Sequence, residues 1–291
     1  MSDRGRDPAR RLRFLLVQAF SLPPGSANRY RDDGGTKETD LMNHAAVAPL
    51  LADLDWDLHP GPIAPHGDWP VETREEFAIA GVARLPIVRE ACESGKYDAI
   101  VLLGGGDPGF MEAREIGRRH RIPVTANAHA QMHVAMTLGN RFSIIDISET
   151  HNAHMAELVV RYRMTHGLAS IRNIDYPLPR PAHRGRPTLR GEAEGFARGE
   201  ASGMLEAAVR AAVAALEEDG AEVLLLGCSG AFWLQGPLQA RLAALGWDVP
   251  VLEGYRCGIE LARLMVHLGV DASGITFPGD PPAHKRRRRI A

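Results

Sequence analysis

The sequence predicts an α/β protein made of two similar halves, each a doubly wound, Rossmann-like sheet of parallel strands. The first observation is a pair of short apolar runs, each of strand length and each ending in a glycine-rich turn. The second is that the runs align without a gap, Tyr97–Gly106 over Ala221–Gly230, and both continue into a helix, an X-Pro-Val segment and a second helix. Such a repeat indicates two halves related by a pseudo-twofold axis, with a ligand site in the cleft between them.

The composition is that of a soluble globular protein and excludes several classes of function. The chain of 291 residues suffices for two domains, and its 45% apolar and 24% charged residues are typical of globular proteins. A net charge of -2 implies no nucleic-acid partner, and no apolar run reaches the roughly 18 residues of a membrane span. Three cysteines without a CxxC pair argue against a disulfide framework and a zinc site, and they favour a reducing, cytoplasmic location.

The first half begins with a short apolar segment. Arg10-Arg11 before it is typical of an export signal, but the segment contains Arg13 and Gln18, so a first strand is favoured. Further apolar runs predict strands, and Thr73 before a long helical pattern predicts a helix cap. The expected elements are the strands Arg13–Phe20, Trp56–His59 and Ala99–Leu103 and the helices Asp40–Leu54 and Arg74–Glu93.

The second half repeats this order with one irregular insertion. Tyr176–Gly191 is rich in proline and arginine, which predicts an excursion without regular structure. The expected strands are Pro123–Thr125, Arg141–Ile147, Ala169–Ile171 and Val223–Leu226. The expected helices are one ending at Leu138, then Asn152–Met164, Glu192–Glu218, Gln235–Leu245 and one from Glu253-Gly254 through His267.

The last helix is expected to return to the first half of the chain. The first domain then comprises residues 12–124 plus 255–278, and the second comprises residues 125–254. Residues 1–11 and 279–291 are expected to be flexible tails. Lys285–Arg289 in the second tail is a charge run, for which a solvated end is favoured over a phosphate or membrane contact.

Cys228 is the residue on which the functional hypothesis depends. It stands in a turn at the carboxyl end of a predicted strand, where open α/β sheets bind their ligands. The positive end of the following helix favours a thiolate, so we expect it to lower the thiol pKa from about 8.5. A buried structural cysteine is the alternative, and that interpretation is favoured for Cys92 and Cys257.

Four segments resemble the aspartate/glutamate/hydantoin racemase superfamily. Tyr97–Gly109 is similar to the hydantoin-racemase segment ending Cys-x-x-Asp-Pro-Gly, and Leu138–Ile145 to its Leu-Gly-x-Arg-Phe-Ser strand. Ala169–Arg172 matches a further short segment, and Ala221–Gly230 resembles the second cysteine motif. The N-terminal loop departs from the family's Asn-Pro-Asn type of start. The resemblance covers most of residues 97–270.

The resemblance implies a cofactor-free enzyme whose active site lies between two pseudo-symmetric domains. In two-cysteine members, one thiolate removes the α-proton and the opposite thiol returns a proton on the other face. Cys228 matches the second cysteine, whereas Gly104 stands at the position of the first. We therefore expect that placing a cysteine at Gly104 installs a second acid/base.

The missing thiol leaves three functions open. The first is a cofactor-independent isomerase that acts at the α-carbon of a small carboxylate or cyclic amide, because other one-cysteine members still isomerise amino acids. The second is a decarboxylase with Cys228 as the sole proton donor, since arylmalonate decarboxylases are similar in having a glycine at the first position. The third is a small-ligand binding protein without activity. All three imply a small-molecule partner, and a homo-oligomer is left open.

The glycine turn and two nearby side chains are candidates for binding the substrate. Gly104, Gly105 and Gly106 form either a plain turn or a nest of N–H donors for a carboxylate or enolate oxygen. Asp107 is either a base opposite the thiol or a helix cap, and the cap is favoured. His129 stands where hydantoin racemases often have a glutamate and is the best histidine for a second base, although a non-catalytic role is favoured.

The remaining candidates are small polar residues and glycines at strand ends. They are Ser229 and Gly230 beside the thiol, Ser148 and Thr150 at a helix start, and Asn28 in the first loop. Turn chemistry is an equal alternative for Asn28. His151 and His154 have i, i+3 spacing, but no carboxylate motif accompanies them, so no metal site is expected.

Overall fold

The computed structural model describes residues 10–29, 35–279 and 281, and in these ranges it contains two separate parallel sheets of four strands each. The first sheet has the order β2-β1-β3-β4. Its strands are β1 (Arg13–Val17), β2 (Asp55–His59), β3 (Ala99–Leu102) and β4 (Val124–Ala126). The predicted charge run Lys285–Arg289 lies outside the described residues.

The second sheet repeats the first, in the order β6-β5-β7-β8. Its strands are β5 (Phe142–Asp146), β6 (Leu168–Asn173), β7 (Val223–Leu226) and β8 (Val251–Leu252). β3 and β7 are buried at every residue, as expected for central strands covered on both faces. The predicted fold class, two pseudo-symmetric doubly wound halves, is confirmed.

Ten α-helices and two 3₁₀ turns connect the strands in the described ranges. They are α1 (Lys37–Asp40), α2 (His44–Leu51), α3 (Arg74–Glu93), α4 (Phe110–His120), α5 (Asn127–Leu138), α6 (Glu149–Arg161), α7 (Leu189–Ala197), α8 (Gly203–Glu217), α9 (Gln235–Ala244) and α10 (Gly254–His267), with the 3₁₀ turns Pro181–His183 and Ser229–Leu234. None of these helices has both the length and the apolar character that crossing a membrane requires.

Two predicted helices are broken in the structure. The helix expected over Asp40–Leu54 is divided into α1 and α2, because Asn43 adopts a left-handed conformation with φ of 59°. The helix expected over Glu192–Glu218 is divided into α7 and α8, with Gly199 at φ of 86° between them. A positive φ cannot continue a right-handed helix.

Helix α10 packs against β3, β4 and α5, so the end of the chain returns to the first sheet. β4 extends to Ala126 and pairs with β3, so the expected boundary between residues 124 and 125 falls inside a strand of the first sheet. The division of the chain into 12–124 plus 255–278 and 125–254 stays a prediction.

The strand register brings the ends of β1 and β3 together, and likewise those of β5 and β7. Val17 pairs with Leu102 in the first sheet, and Ile145 pairs with Leu226 in the second. The residues that follow these strands therefore lie side by side at the carboxyl ends of the two sheets. Residues 18–20, predicted as strand, leave the sheet and line a cavity there.

Candidate active site

A cavity of about 210 Å³ lies between the carboxyl ends of the two sheets. Its walls are formed by the segments that follow β1, β3 and β7 and by parts of residues 178–190. Apolar side chains make up much of the lining, among them Phe20, Leu22 and Leu178, and Arg29 and Arg190 lie at its edge, with Arg190 paired to Glu194. The cavity therefore suits a small molecule with an apolar part and an anionic or polar part.

Cys228 lines this cavity, as its position at the end of β7 predicts. It is the N-cap residue of the 3₁₀ turn Ser229–Leu234, and the N–H groups of Gly230 and Ala231 lower its pKa. Burial, and after it the charge of Asp146, outweighs these donors and raises the thiol pKa far above its usual value. The N–H groups at the start of the turn lower the pKa as expected, but the expectation of a net lower pKa is wrong, because burial favours the protonated thiol.

The turn Gly104–Gly106 packs directly against the turn that carries Cys228. A Cβ at Gly105 would stand 1.9 Å from the carbonyl oxygen of Gly227, so only glycine allows this approach of the two halves. All three glycines line the cavity, and no hydrogen bond joins the N–H groups of Gly105 and Gly106 to another described residue. These two N–H groups are therefore candidates for binding an oxygen atom in the cavity.

The place of a thiol at Gly104 is taken by another side chain. Gly104 has a φ of 106°, and a Cβ there would stand 2.5 Å from the Cβ of Ala19. The amide of Asn127, oriented so that both its polar atoms are satisfied, accepts from Gly104 N at 2.9 Å and donates to Gly254 O at 3.1 Å. The Gly104 backbone is thus held in a conformation that excludes a side chain.

Asp107 lies behind the turn rather than in the cavity. Its carboxylate accepts hydrogen bonds from the N–H groups of Ala128 and His129 at 2.9 and 2.8 Å and from the Tyr162 hydroxyl at 3.0 Å. It therefore holds the N-terminus of α5, whereas the N-cap of the following helix α4 is Gly109. A capping role was predicted, but the helix it caps comes later in the chain.

His129 is packed among aromatic rings away from the cavity. Its ring centroid lies 4.0 Å from that of His133 and 4.8 Å from that of Phe110. Burial lowers the pKa of His129 to about 2, so the imidazole is neutral. The structure gives His129 no contact with the cavity that would support a role as a second base.

The other predicted residues divide between the cavity and its surroundings. Ser229, Gly230 and Asn28 line the cavity, and Asn28 also donates to the carbonyl of Asp68 at 3.1 Å. Ser148 caps α6 and donates to a Glu72 oxygen, and it is not among the described residues that line the cavity. Thr150 is exposed on α6 and is not among the described residues that line the cavity.

The structure also brings a histidine into the cavity wall that the sequence reasoning did not place there. His151 lines the cavity, and its Nδ1 lies 2.7 Å from Oδ2 of Asp146. His154, one turn later, contacts the carbonyl oxygen of Gly106 through Nε2 at 2.8 Å. The described residues contain no group of three His, Cys, Asp or Glu side chains placed to hold a metal ion. The sequence did contain a signal for this pair, because the carboxylate of Asp146 stands at the end of a strand and His151 follows it by five residues.

Glu253 fixes the start of α10 and with it Tyr255, which also lines the cavity. Its carboxylate accepts from the N–H groups of Tyr255 and Arg256 at 2.8 and 2.7 Å. Burial raises the pKa of Glu253 to about 7, against the effect of these two donors. The folded protein therefore binds this proton more tightly than the unfolded chain does.

We expect the stability of the protein to depend on pH through Glu253. The contribution of the protonated carboxyl is complete below about pH 4.5 and is lost as the pH rises to about 7. Over this range the free energy of unfolding of the wild type should fall by about 3 kcal/mol relative to that of Glu253→Gln, which is neutral at every pH. Urea unfolding of both proteins at pH 5 and pH 8 measures this difference. An equal change of unfolding free energy between the two pH values in wild type and variant would contradict the assignment.

Comparison with known proteins places the chain in a family. The family model described as Asp/Glu/Hydantoin racemase matches residues 64–262. Hydantoin racemase from Pseudomonas sp. (strain NS671) is 30% identical over 204 residues, which cover 68% of this chain and 69% of that protein. Hydantoin racemase from Paenarthrobacter aurescens is 30% identical over 203 residues, which cover 70% of this chain and 76% of that protein.

A solved structure agrees with this assignment at the level of the fold. Allantoin racemase from Klebsiella pneumoniae superimposes with a TM-score of 0.64 at 24% identity, covering 96% of each chain. The family match and these relatives support an enzyme of the racemase/isomerase superfamily. The chain belongs to the Asp/Glu/hydantoin racemase family.

Proposed function

We propose that the protein is a cofactor-independent racemase or epimerase that moves a proton at the α-carbon of a small cyclic amide or carboxylate, with Cys228 as an acid/base. The observation that supports the proposal is that Cys228 lines the cavity between the two sheets. The names of the relatives, hydantoin racemase and allantoin racemase, favour a hydantoin-type ring among these substrates.

The lining of the cavity supports chemistry through an enolate. Loss of the α-proton next to a carbonyl leaves a planar intermediate with negative charge on oxygen. The N–H groups of Gly105 and Gly106, which have no hydrogen-bond partner among the described residues, are candidate donors for that oxygen. The apolar side chains of Phe20 and Leu178 offer a surface for the substituent on the α-carbon.

The protonated thiol suits the second half of such a reaction. Because burial raises its pKa, Cys228 enters the reaction as a neutral thiol that can donate a proton to the intermediate. Abstraction of the first proton then needs another base, or a thiolate that forms only when the substrate is bound. Gly104, Asn28, Ser229 and Gly230 also line the cavity and are proposed to contact the substrate, the last two beside the thiol.

A decarboxylase is the second candidate, and one observation favours it. Ala19 fills the place of a first thiol, so a single thiol faces the cavity within the described residues. Release of carbon dioxide from a malonate-type substrate creates the same kind of enolate without a base, and Cys228 would then supply the one proton required. The structure of unliganded arylmalonate decarboxylase shares the fold, with a TM-score of 0.52 at 13% identity.

Incubation in deuterated water separates the two candidates. The probes are the single enantiomers of 5-isopropylhydantoin, 5-benzylhydantoin and allantoin, together with phenylmalonate and methylphenylmalonate. A racemase is expected to incorporate deuterium at the α-carbon of a hydantoin and to lose optical rotation, whereas a decarboxylase should release carbon dioxide from a malonate and label only the product. Turnover of the malonates without exchange of the hydantoins would overturn the racemase proposal.

A further inference from the structure

A buried imidazole and carboxylate pair faces the proposed active site. His151 is 2% exposed and lines the cavity, and Nδ1 of its ring lies 2.7 Å from Oδ2 of Asp146. Asp146 ends β5 and is fully buried, and its other oxygen accepts from the N–H group of Ile147 at 2.9 Å. The carboxylate therefore holds the ring through Nδ1 and leaves Nε2 as the free ring nitrogen, since no described residue makes a hydrogen bond with Nε2.

Phe77 links His151 to the glycine turn that has no thiol, whereas Asp146 packs against Gly227, the residue directly before Cys228. Phe77 contacts the edge of the His151 ring, with centroids 5.8 Å apart. The same phenyl ring fills the space at Gly106, where a Cβ would stand 2.3 Å from a Phe77 ring carbon. Phe77 thus packs against both His151 and the Gly104–Gly106 turn, and all three line the cavity into which Cys228 faces.

We propose that His151, held by Asp146, is the second acid/base of the reaction and works together with Cys228 on the α-carbon of the substrate. The inference rests on the proposed racemase function and deepens it, because it names the group that replaces the missing first thiol. The proposal requires that His151 and Cys228 reach opposite faces of the planar intermediate from the cavity that both residues line.

The protons balance over one turnover. Nε2 of neutral His151 takes the α-proton, and the electrons of the broken C–H bond pass into the enolate. The thiol of Cys228 then gives its proton to the other face of the α-carbon, which leaves an imidazolium and a thiolate. The opposite enantiomer is converted by the reverse steps, starting from the imidazolium and the thiolate, and proton exchange through the cavity interconverts the two forms.

The charges around His151 allow it to hold a proton in the cavity. Burial lowers the pKa of the imidazole, but the charge and hydrogen bond of Asp146 and the charge of Glu72 raise it, and the net pKa is above the usual value. Glu72 accepts from the Ser148 hydroxyl and lies 3.6 Å from Nε of Arg180. The other titratable neighbours are His154 on the same helix, whose own pKa burial lowers to about 4, and Cys228, which lines the same cavity and whose pKa the charge of Asp146 raises.

The first test uses two variants and both enantiomers of 5-isopropylhydantoin in deuterated water. His151→Asn keeps a donor near Asp146 but has no group at the position of Nε2, and Cys228→Ser removes the thiol. Both variants should lose racemisation by about a hundredfold or more. Each should still exchange the α-proton of one enantiomer without inversion, and the two variants should select opposite enantiomers. His133→Asn, which changes a partly buried histidine outside the cavity, should behave as the wild type.

The outcomes separate this inference from the function on which it rests. Racemisation that persists in His151→Asn, or exchange of the same enantiomer by both variants, would overturn the role of His151 and leave the racemase function standing. Absence of exchange by the wild type with every hydantoin and with allantoin would overturn both.

A measurement on the wild type covers the case in which His151→Asn does not fold. In the first turnovers in deuterated water, two separate acid/bases should place solvent deuterium in the inverted product and leave protium in the remaining substrate. A single thiol acting on both faces would carry the substrate's own proton to the product. Inverted product that retains protium would therefore overturn the proposal.

Discussion

Replacing Cys228 with serine is expected to reduce racemisation of a hydantoin by a hundredfold or more. Serine keeps nearly the same size in the cavity wall, but its hydroxyl is a far weaker acid than a thiol, so it cannot deliver the proton at a useful rate. A loss of this size is usual when a positioned acid or base is removed. Circular dichroism of optically pure substrate measures the rate directly.

Cys257→Ser is the matched control for this prediction. Cys257 is also a buried free cysteine, but it lies on α10 and is not among the described residues that line the cavity. The control should keep the racemisation rate within a few-fold of the wild type, and urea unfolding reports any loss of stability in either variant. Near-normal activity of Cys228→Ser would remove the thiol from the mechanism and leave the function to be assigned again.

The second large effect concerns Gly104, where the sequence suggested that a cysteine would restore a second acid/base. The steric fit at Gly104 argues against that expectation. A residue with a side chain would be strained at a φ of 106°, and its Cβ would overlap the Cβ of Ala19 at 2.5 Å. Backbone strain costs about 1–3 kcal/mol and overpacking a similar amount. Gly104→Cys should therefore unfold at a clearly lower denaturant concentration without gaining a second functional thiol.

Two further variants separate the steric cost from the conformational cost. Gly95→Cys is the control for a positive φ, because Gly95 has a φ of 63° and open space where a Cβ would stand. Ala19→Gly combined with Gly104→Cys removes the overlapping methyl group and should recover part of the lost stability. If Gly104→Cys is as stable as Gly95→Cys, Ala19 does not exclude a side chain at this position.

Much of the fold could be predicted because the signals are local. The duplicated strand and glycine turn at Tyr97–Gly106 and Ala221–Gly230 predicted two equivalent sheets, and β3 and β7 occupy equivalent central positions in them. The helix α3 has the bounds expected from Thr73 and the pattern that follows it. The break before α2 at Asn43 had no such signal, whereas Gly199 and the N-cap Ser202 are a local signal for the break before α8.

The sequence by itself determined the fold class, the resemblance to a racemase family and the position of Cys228 at the end of β7. These follow from the order of apolar runs and glycines, which is a property of neighbouring residues. Only the tertiary structure decided that Ala19 occupies the space that a side chain at Gly104 would need, and that Asp146 holds His151 in the cavity wall. It also decided that the thiol pKa is raised rather than lowered. Each of these depends on burial or on contacts between segments that are distant in the chain, and a local sequence pattern does not reveal such contacts.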